Sequence, residues 1–214
     1  MEQALKIPTR LVAERLLAEA EKMNPGAWVE HSRVVARAAE AIASRHPQLD
    51  QECAYALGLL HDIGRREGRS QGRHILDGYR YLLSMGYPEA ARVCLTHSFP
   101  LPTIHVAVGE MDCPPEDIQF LSDFLAQVEY DEYDRLIQLC DALALPSGFC
   151  LIEKRLVDVA MRYGLGLYTI PRWKRFLELQ QQFERAIGGS IYALLPGVVE
   201  NTFGFSDGES PHCI

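Results

Sequence analysis

The chain has 214 residues, 48% of them hydrophobic and 23% charged, with a formal net charge of −8 at pH 7. So acidic a chain is a poor match for duplex nucleic acid, whose partners gain affinity from cationic contacts to phosphate. No apolar run approaches the ~20 residues that span a bilayer, and MEQALKIPTRLVAERLL, with its acids and no apolar core, does not read as a secretory signal. The expectation is a cytoplasmic chain with one core and no membrane or duplex partner.

In chain order the apolar period is helical nearly throughout, with no run of strict alternation. A first helix is predicted over 9–22. Asn24-Pro25 reads as an N-cap followed by a first-turn proline, opening a second helix that runs to about 45, before Pro47. Asp50 caps a third helix over 51–62, closed by Gly64. GRREGRSQGR reads as a polar loop. Further helices are predicted over 74–85, 88–98, 114–128, 133–145, 152–163 and 172–187. The stretch 100–113 carries prolines and reads as an irregular connection, and the last ten residues, 205–214, read as a loose tail. No repeat or linker divides the chain, so a single all-α domain over 1–214 is expected.

The six cysteines, at 53, 94, 113, 140, 150 and 213, are widely and irregularly spaced and include no C-x-x-C. That pattern argues against a zinc ribbon and for reduced thiols. Cys53, Cys94 and Cys140 fall in apolar helical stretches, where a free thiol packs as a small hydrophobe.

Several polar residues fall on stripes that should be buried. Cys53, Ala56, Leu57, Leu60 and His61 follow the spacing of one helix face, and Asp62 is the next residue, about 100° further round. His31 shares a face with Val35, Ala38 and Ile42. Between Leu136 and Leu145 only Gln138 and Asp141 are polar, and an isolated carboxylate there must be paired or bound to a cation. His74 opens the fourth helix and His97 lies near the end of the fifth. A single inward histidine is usually a satisfied core residue, but the joint pattern of His, His-Asp and a buried Asp is hard to explain as packing.

At His31, at His61-Asp62 within GLLHDIG and at Asp141 within LCDALAL, the sequence resembles the HD-domain superfamily of metal-dependent phosphohydrolases, over about residues 25–165. The resemblance implies a bundle of helices around a metal, with His31, His61, Asp62 and Asp141 as ligands. His74 and His97 match the extra histidines of two-metal branches, in which Asp62 would bridge both ions and so take the catalytic role. This branch is similar to the diadenosine-tetraphosphate hydrolases. Gly86-Tyr87-Pro88 stands in the wrong order for an HD-GYP phosphodiesterase, so no cyclic dinucleotide is inferred, and Arg65 stands where a lysine is often found.

Two imidazoles and two carboxylates suit one or two divalent ions, Fe, Mn, Zn or Mg. The function implied is hydrolysis of a phosphate ester or anhydride of a small phosphorylated metabolite, a nucleotide foremost, by metal-activated water. A mixed-valence di-iron oxygenase and a non-catalytic metal- or nucleotide-binding sensor are the alternatives. Arg65, Arg66, Arg69 and Arg73 crowd the loop after the metal helix. Of these, Arg65 and then Arg66 are the expected phosphate contacts. Elsewhere His105 matches no motif position, His46 beside Pro47 reads as exposed, and Glu153, Arg155 and Asp158 read as a solvated helix face. Trp173, Phe176, Phe183 and Ile187 read as core or as the face of a homodimer.

Overall fold

The computed structural model describes residues 6–204. The tail expected over 205–214, with His212 and Cys213, lies outside the described residues.

Helix α1 (Arg10–Met23) starts on Thr9, whose side chain accepts from the Val12 N–H. Helix α2 (Ala27–Ala43) starts behind Gly26 with no side-chain cap. Asn24 therefore does not have the N-cap role read from the sequence. It ends α1, and its amide donates to Arg65 O at 2.6 Å, tying that turn to the segment after α3 (Gln51–Leu60). Asp50 caps α3 as expected, accepting from the Cys53 N–H at 2.8 Å. Helices α2 and α3 approach backbone to backbone: a Cβ on Gly58 would meet Ala36 Cα at 2.8 Å.

The helix α3 stops at Leu60, short of the expected 62, and the chain turns through His61 and Asp62 into a 3₁₀ segment, Ile63–Glu67, where the sequence reads as loop. Gly64 makes that turn possible. A Cβ there would lie 2.0 Å from His74 O and 2.4 Å from Gly78 N, so only glycine lets the segment lie against α4 (Arg73–Ser84). Helix α5 (Pro88–Thr96) ends one residue before His97. The connection after it holds a short 3₁₀ turn, Ile104–Val106, and leads to α6 (Pro115–Gln127).

Helix α7 (Glu132–Asp141) opens with a capping box between Asp131 and Asp134. It ends four residues before the expected 145. Pro146 disfavours helical backbone at the residue before it, and the chain instead forms a two-residue hairpin, β1 (Ala144–Leu145) against β2 (Gly148–Phe149), with Ala144 opposite Phe149. Helix α8 (Ile152–Tyr163) follows. Helix α9 (Thr169–Ile187) starts earlier than expected, and a 3₁₀ turn at Ile191–Leu194 and α10 (Val198–Phe203) complete the described chain without having been foreseen.

The fold is thus an all-α bundle with one small hairpin among the described residues. The main apolar core joins α1, α2, α3, α5, α7 and α9, and a smaller one joins α4, α6 and the connection after α5. Phe176 and Phe183 are core, and His46 is buried against the Phe183 ring rather than exposed. Two polar side chains fix α7 against the end of α5. Asp134 is buried and accepts from Thr96 at 2.7 Å and from Arg92, and Gln138 donates to Thr96 O at 3.0 Å and to Phe99 O at 3.1 Å. Gln138 thereby satisfies carbonyls left open where α5 ends.

Candidate metal centre

Three helices end at one place. His61 and Asp62 follow α3, His97 follows α5, and Asp141 is the last residue of α7. Unsatisfied carbonyls give each such end partial negative charge, which favours a cation. His31, in the second turn of α2, and His74, at the start of α4, complete the ring from the other side.

The side chains meet as the sequence pattern requires. His31 Nε2 lies 3.0 Å from Asp141 Oδ1. Asp62 Oδ1 stands 3.1 Å from His74 Nε2 and 3.6 Å from His97 Nε2, and its Oδ2 stands 3.9 Å from His61 Nε2. Neighbouring imidazoles, 31 to 61 and 61 to 97, have ring centroids 5.4 and 5.0 Å apart. Ligand atoms of His31, His61 and Asp141 form one group within 4.8 Å, and those of His61, Asp62 and His97 form a second that shares His61. His74 belongs to neither group but touches Asp62.

The protonation pattern suits residues that could hold a metal ion. His61 Nδ1 lies 2.7 Å from Gly58 O and His97 Nδ1 lies 2.9 Å from Cys94 O. Donation from Nδ1 leaves Nε2 with its lone pair facing the cluster. Burial keeps both rings neutral, lowering His61 and pushing His97 down to about 3. Burial would also push Asp62 and Asp141 up. Arg65 and His74 outweigh it at Asp62, and His31 and Arg155 outweigh it at Asp141, holding both acids well below the usual range. His61 Nε2 and Asp62 Oδ1 are buried and have no hydrogen-bond partner among the described residues. Two orphaned atoms, one basic nitrogen and one anionic oxygen, are what a bound cation would satisfy, so the residues present fit a divalent metal.

The cluster floors a cavity of about 520 Å³ whose wall carries Arg65, Arg155, Arg162 and Arg172. Arg65 donates from Nε to Asp62 Oδ2 at 2.6 Å, and its terminal nitrogen lies 3.3 Å from His74 Nε2. Arg66 is not brought to the cavity. It packs over the Tyr81 ring at 3.9 Å and pairs with Glu67 at 3.2 Å. Arg69 is exposed and Arg73 pairs with Asp77. The 3₁₀ turn explains the split, because it sends successive arginines in different directions.

Sequence reasoning missed the far wall. Arg155 and Asp158, read as solvated, both line the cavity. Arg155 reaches Asp141 Oδ1 at 3.5 Å, and Asp158 accepts from Arg155 at 3.3 Å and from Arg162 at 2.7 Å. Their three- and four-residue spacings do predict those local pairs, but no local signal places α8 beside Asp141. A second cleft of about 370 Å³ adjoins the cavity at Val108, Val159, Tyr163 and Arg172. His105 lies there, stacked on Tyr168 with centroids 5.9 Å apart, and so does Trp173.

Among the described residues Cys53, Cys94, Cys113, Cys140 and Cys150 are free thiols, and no helix is long and apolar enough to cross a membrane. The sequence model of one protein family, described as HD domain, matches residues 28–145, more than half of the chain and all six residues of the cluster. No curated protein and no solved structure matches the chain.

Proposed function

This chain belongs to the HD-domain family, whose members are in general metal-dependent phosphohydrolases, and from that premise we propose that it hydrolyses a phosphate ester or anhydride of a small metabolite, a nucleotide foremost. The observation that carries this reading is the cluster of four histidines and two aspartates, all but His61 lining the floor of a cavity walled by arginine. His31, His61, Asp62 and Asp141 are the residues to hold a first ion, with Asp62, His74 and His97 offering a second place. Fe, Mn, Zn and Mg all suit the donors. A divalent ion there supplies Lewis acidity and acidifies water for attack at phosphorus.

The chain's own residues do the rest. Asp62 is central, since its two oxygens face His74, His97, His61 and Arg65 at once. Arg65 is anchored on Asp62, which aims its planar cation at the space above the floor, where a phosphate oxygen is best received. The Asp62–Arg65 contact also fixes the carboxylate's orientation, so phosphate binding and ligand geometry depend on one hydrogen bond.

The test is metal analysis of the purified chain, followed by a panel of nucleotides and sugar phosphates assayed with Mn, Fe, Zn and Mg in turn. Metal-dependent release of phosphate is the expected result. A metal-replete protein inert across the whole panel would overturn the proposal.

A further inference from the structure

Among the four arginines of the cavity wall, three have carboxylate partners. Arg65 has Asp62 at 2.6 Å, Arg155 has Asp141 and Asp158, and Arg162 has Asp158. Arg172 has none. Its Nε is buried without a hydrogen-bond partner, and its nearest aromatic neighbour is the Phe176 ring, 5.4 Å from the guanidinium carbon. A desolvated guanidinium is costly unless something anionic completes it. Arg172 also stands where the metal cavity meets the neighbouring cleft. It lies in the first turn of α9, which carries no acidic residue, so the positive end of that helix adds to its field. Burial lowers its pKa to about 10, which leaves it cationic at neutral pH.

Resting on the hydrolase reading above, we infer that Arg172 forms a second anion subsite, seating an oxyanion of the substrate other than the one presented to the histidine and aspartate cluster. The substrate class is therefore a phosphate compound with a second anionic group: a diphosphate or longer phosphate chain, or a phosphorylated carboxylic acid. Arg155 lies beside it but is committed to Asp141 and Asp158, so the unpaired fork of Arg172 sets the preference. A residue at the mouth of the adjoining cleft is also placed to let the remainder of such a molecule run toward His105, Tyr168 and Trp173.

The experiment titrates inorganic pyrophosphate and inorganic phosphate into the full chain by calorimetry, first as purified and then after chelation, when the ratio of affinities reports on the protein alone. The wild type is expected to prefer pyrophosphate by about tenfold, the scale of one bidentate charge-assisted contact. Arg172→Gln should bring the ratio near one, and Arg172→Lys should restore part of it, while matched melting curves show that both variants fold. A second pair, 3-phosphoglycerate against glycerol 3-phosphate, distinguishes a carboxylate from a phosphate as the second group, and loss of preference in either pair supports the subsite. Ratios that are the same in Arg172→Gln and the wild type for both pairs would overturn it. Because binding is read without turnover, an inert protein that keeps the Arg172-dependent ratio would sink the hydrolase reading and leave the subsite standing.

Discussion

The floor and the far wall of the cavity are built on different principles. On the floor, six side chains from five helical segments face one another at 3.0–3.9 Å, and the charges of Asp62 and Asp141 are held by neighbouring imidazoles and arginines. On the wall, α8 and α9 present a row of arginines that is one carboxylate short, and Arg172 goes unpaired among the described residues. The floor lies within residues 28–145, which match the HD-domain family, whereas Arg155, Arg162 and Arg172 lie beyond them. The contrast sets a floor of histidines and aspartates inside the matched region against three arginines of the wall that lie outside it.

The largest effect expected is on the floor. His61→Ala combined with Asp62→Ala removes two of the buried atoms left without partners, His61 Nε2 and Asp62 Oδ1, and with them the centre of the cluster. Metal content should be lost and kcat/KM should fall by about 10³-fold, the several kcal/mol that Lewis-acid stabilisation supplies. A double variant that keeps its metal would break the comparison at its base, because the cation would then sit elsewhere. Next comes the residue where floor meets wall. Arg65→Ala loses the 2.6 Å bond that orients Asp62, and kcat/KM should fall about 10- to 100-fold, the usual cost of losing an outer-shell partner. Arg66→Ala, adjacent in sequence but packed on Tyr81, should change turnover by less than about twofold while costing some stability through lost stacking. Equal losses in the two variants would mean that the loop acts as a diffuse positive patch and not through one aimed guanidinium.

The floor was largely legible in the sequence because its residues are polar exceptions on apolar stripes. His31 and His61 interrupt helix faces that must be buried and Asp141 is an acid on an apolar stripe, so periodicity marks them, while Asp62 stands out as the neighbour of His61 and the resemblance alone picks out His74 and His97. Helix ends were less legible. Leu60 to Asp62 reads as continuous helix, and the break there depends on Gly64 fitting against His74 O, a contact between segments that no local pattern encodes. The wall was illegible for a related reason. Arg155 and Asp158 satisfy the rule for a solvated ion pair and do form one, but the tertiary placement of α8 also brings Arg155 to Asp141. His46 failed the opposite way: a histidine beside proline at a helix end looks exposed until α9 covers it with Phe183.

The smallest predicted effect concerns how floor and wall are joined. Asp112, in the connection that also carries Val108 of the wall, accepts the backbone N–H groups of Gln71, Gly72 and Arg73 at 3.0, 2.8 and 2.7 Å. It therefore caps α4 from outside the helix, one residue ahead of His74, and does the work of the side-chain cap that Gly72 cannot provide. Desolvation raises the Asp112 carboxyl, but the N–H donors together outweigh it and hold the group below its usual range. A depressed acid stabilises the fold above its unfolded pKa of about 3.9 and loses that contribution as pH falls through the folded value. Asp112→Ala should therefore cost about 1 kcal/mol near neutral pH, the usual value of a cap, which for a chain of this size lowers Tm by roughly 2–4 °C. The gap between variant and wild type should close as the pH falls through the lowered folded value, where the wild-type carboxyl is itself protonated. A gap that stays constant down to that pH would show that Asp112 contributes by packing alone, and α4 would then owe its position, and His74 its place on Asp62, to the close contact at Gly64.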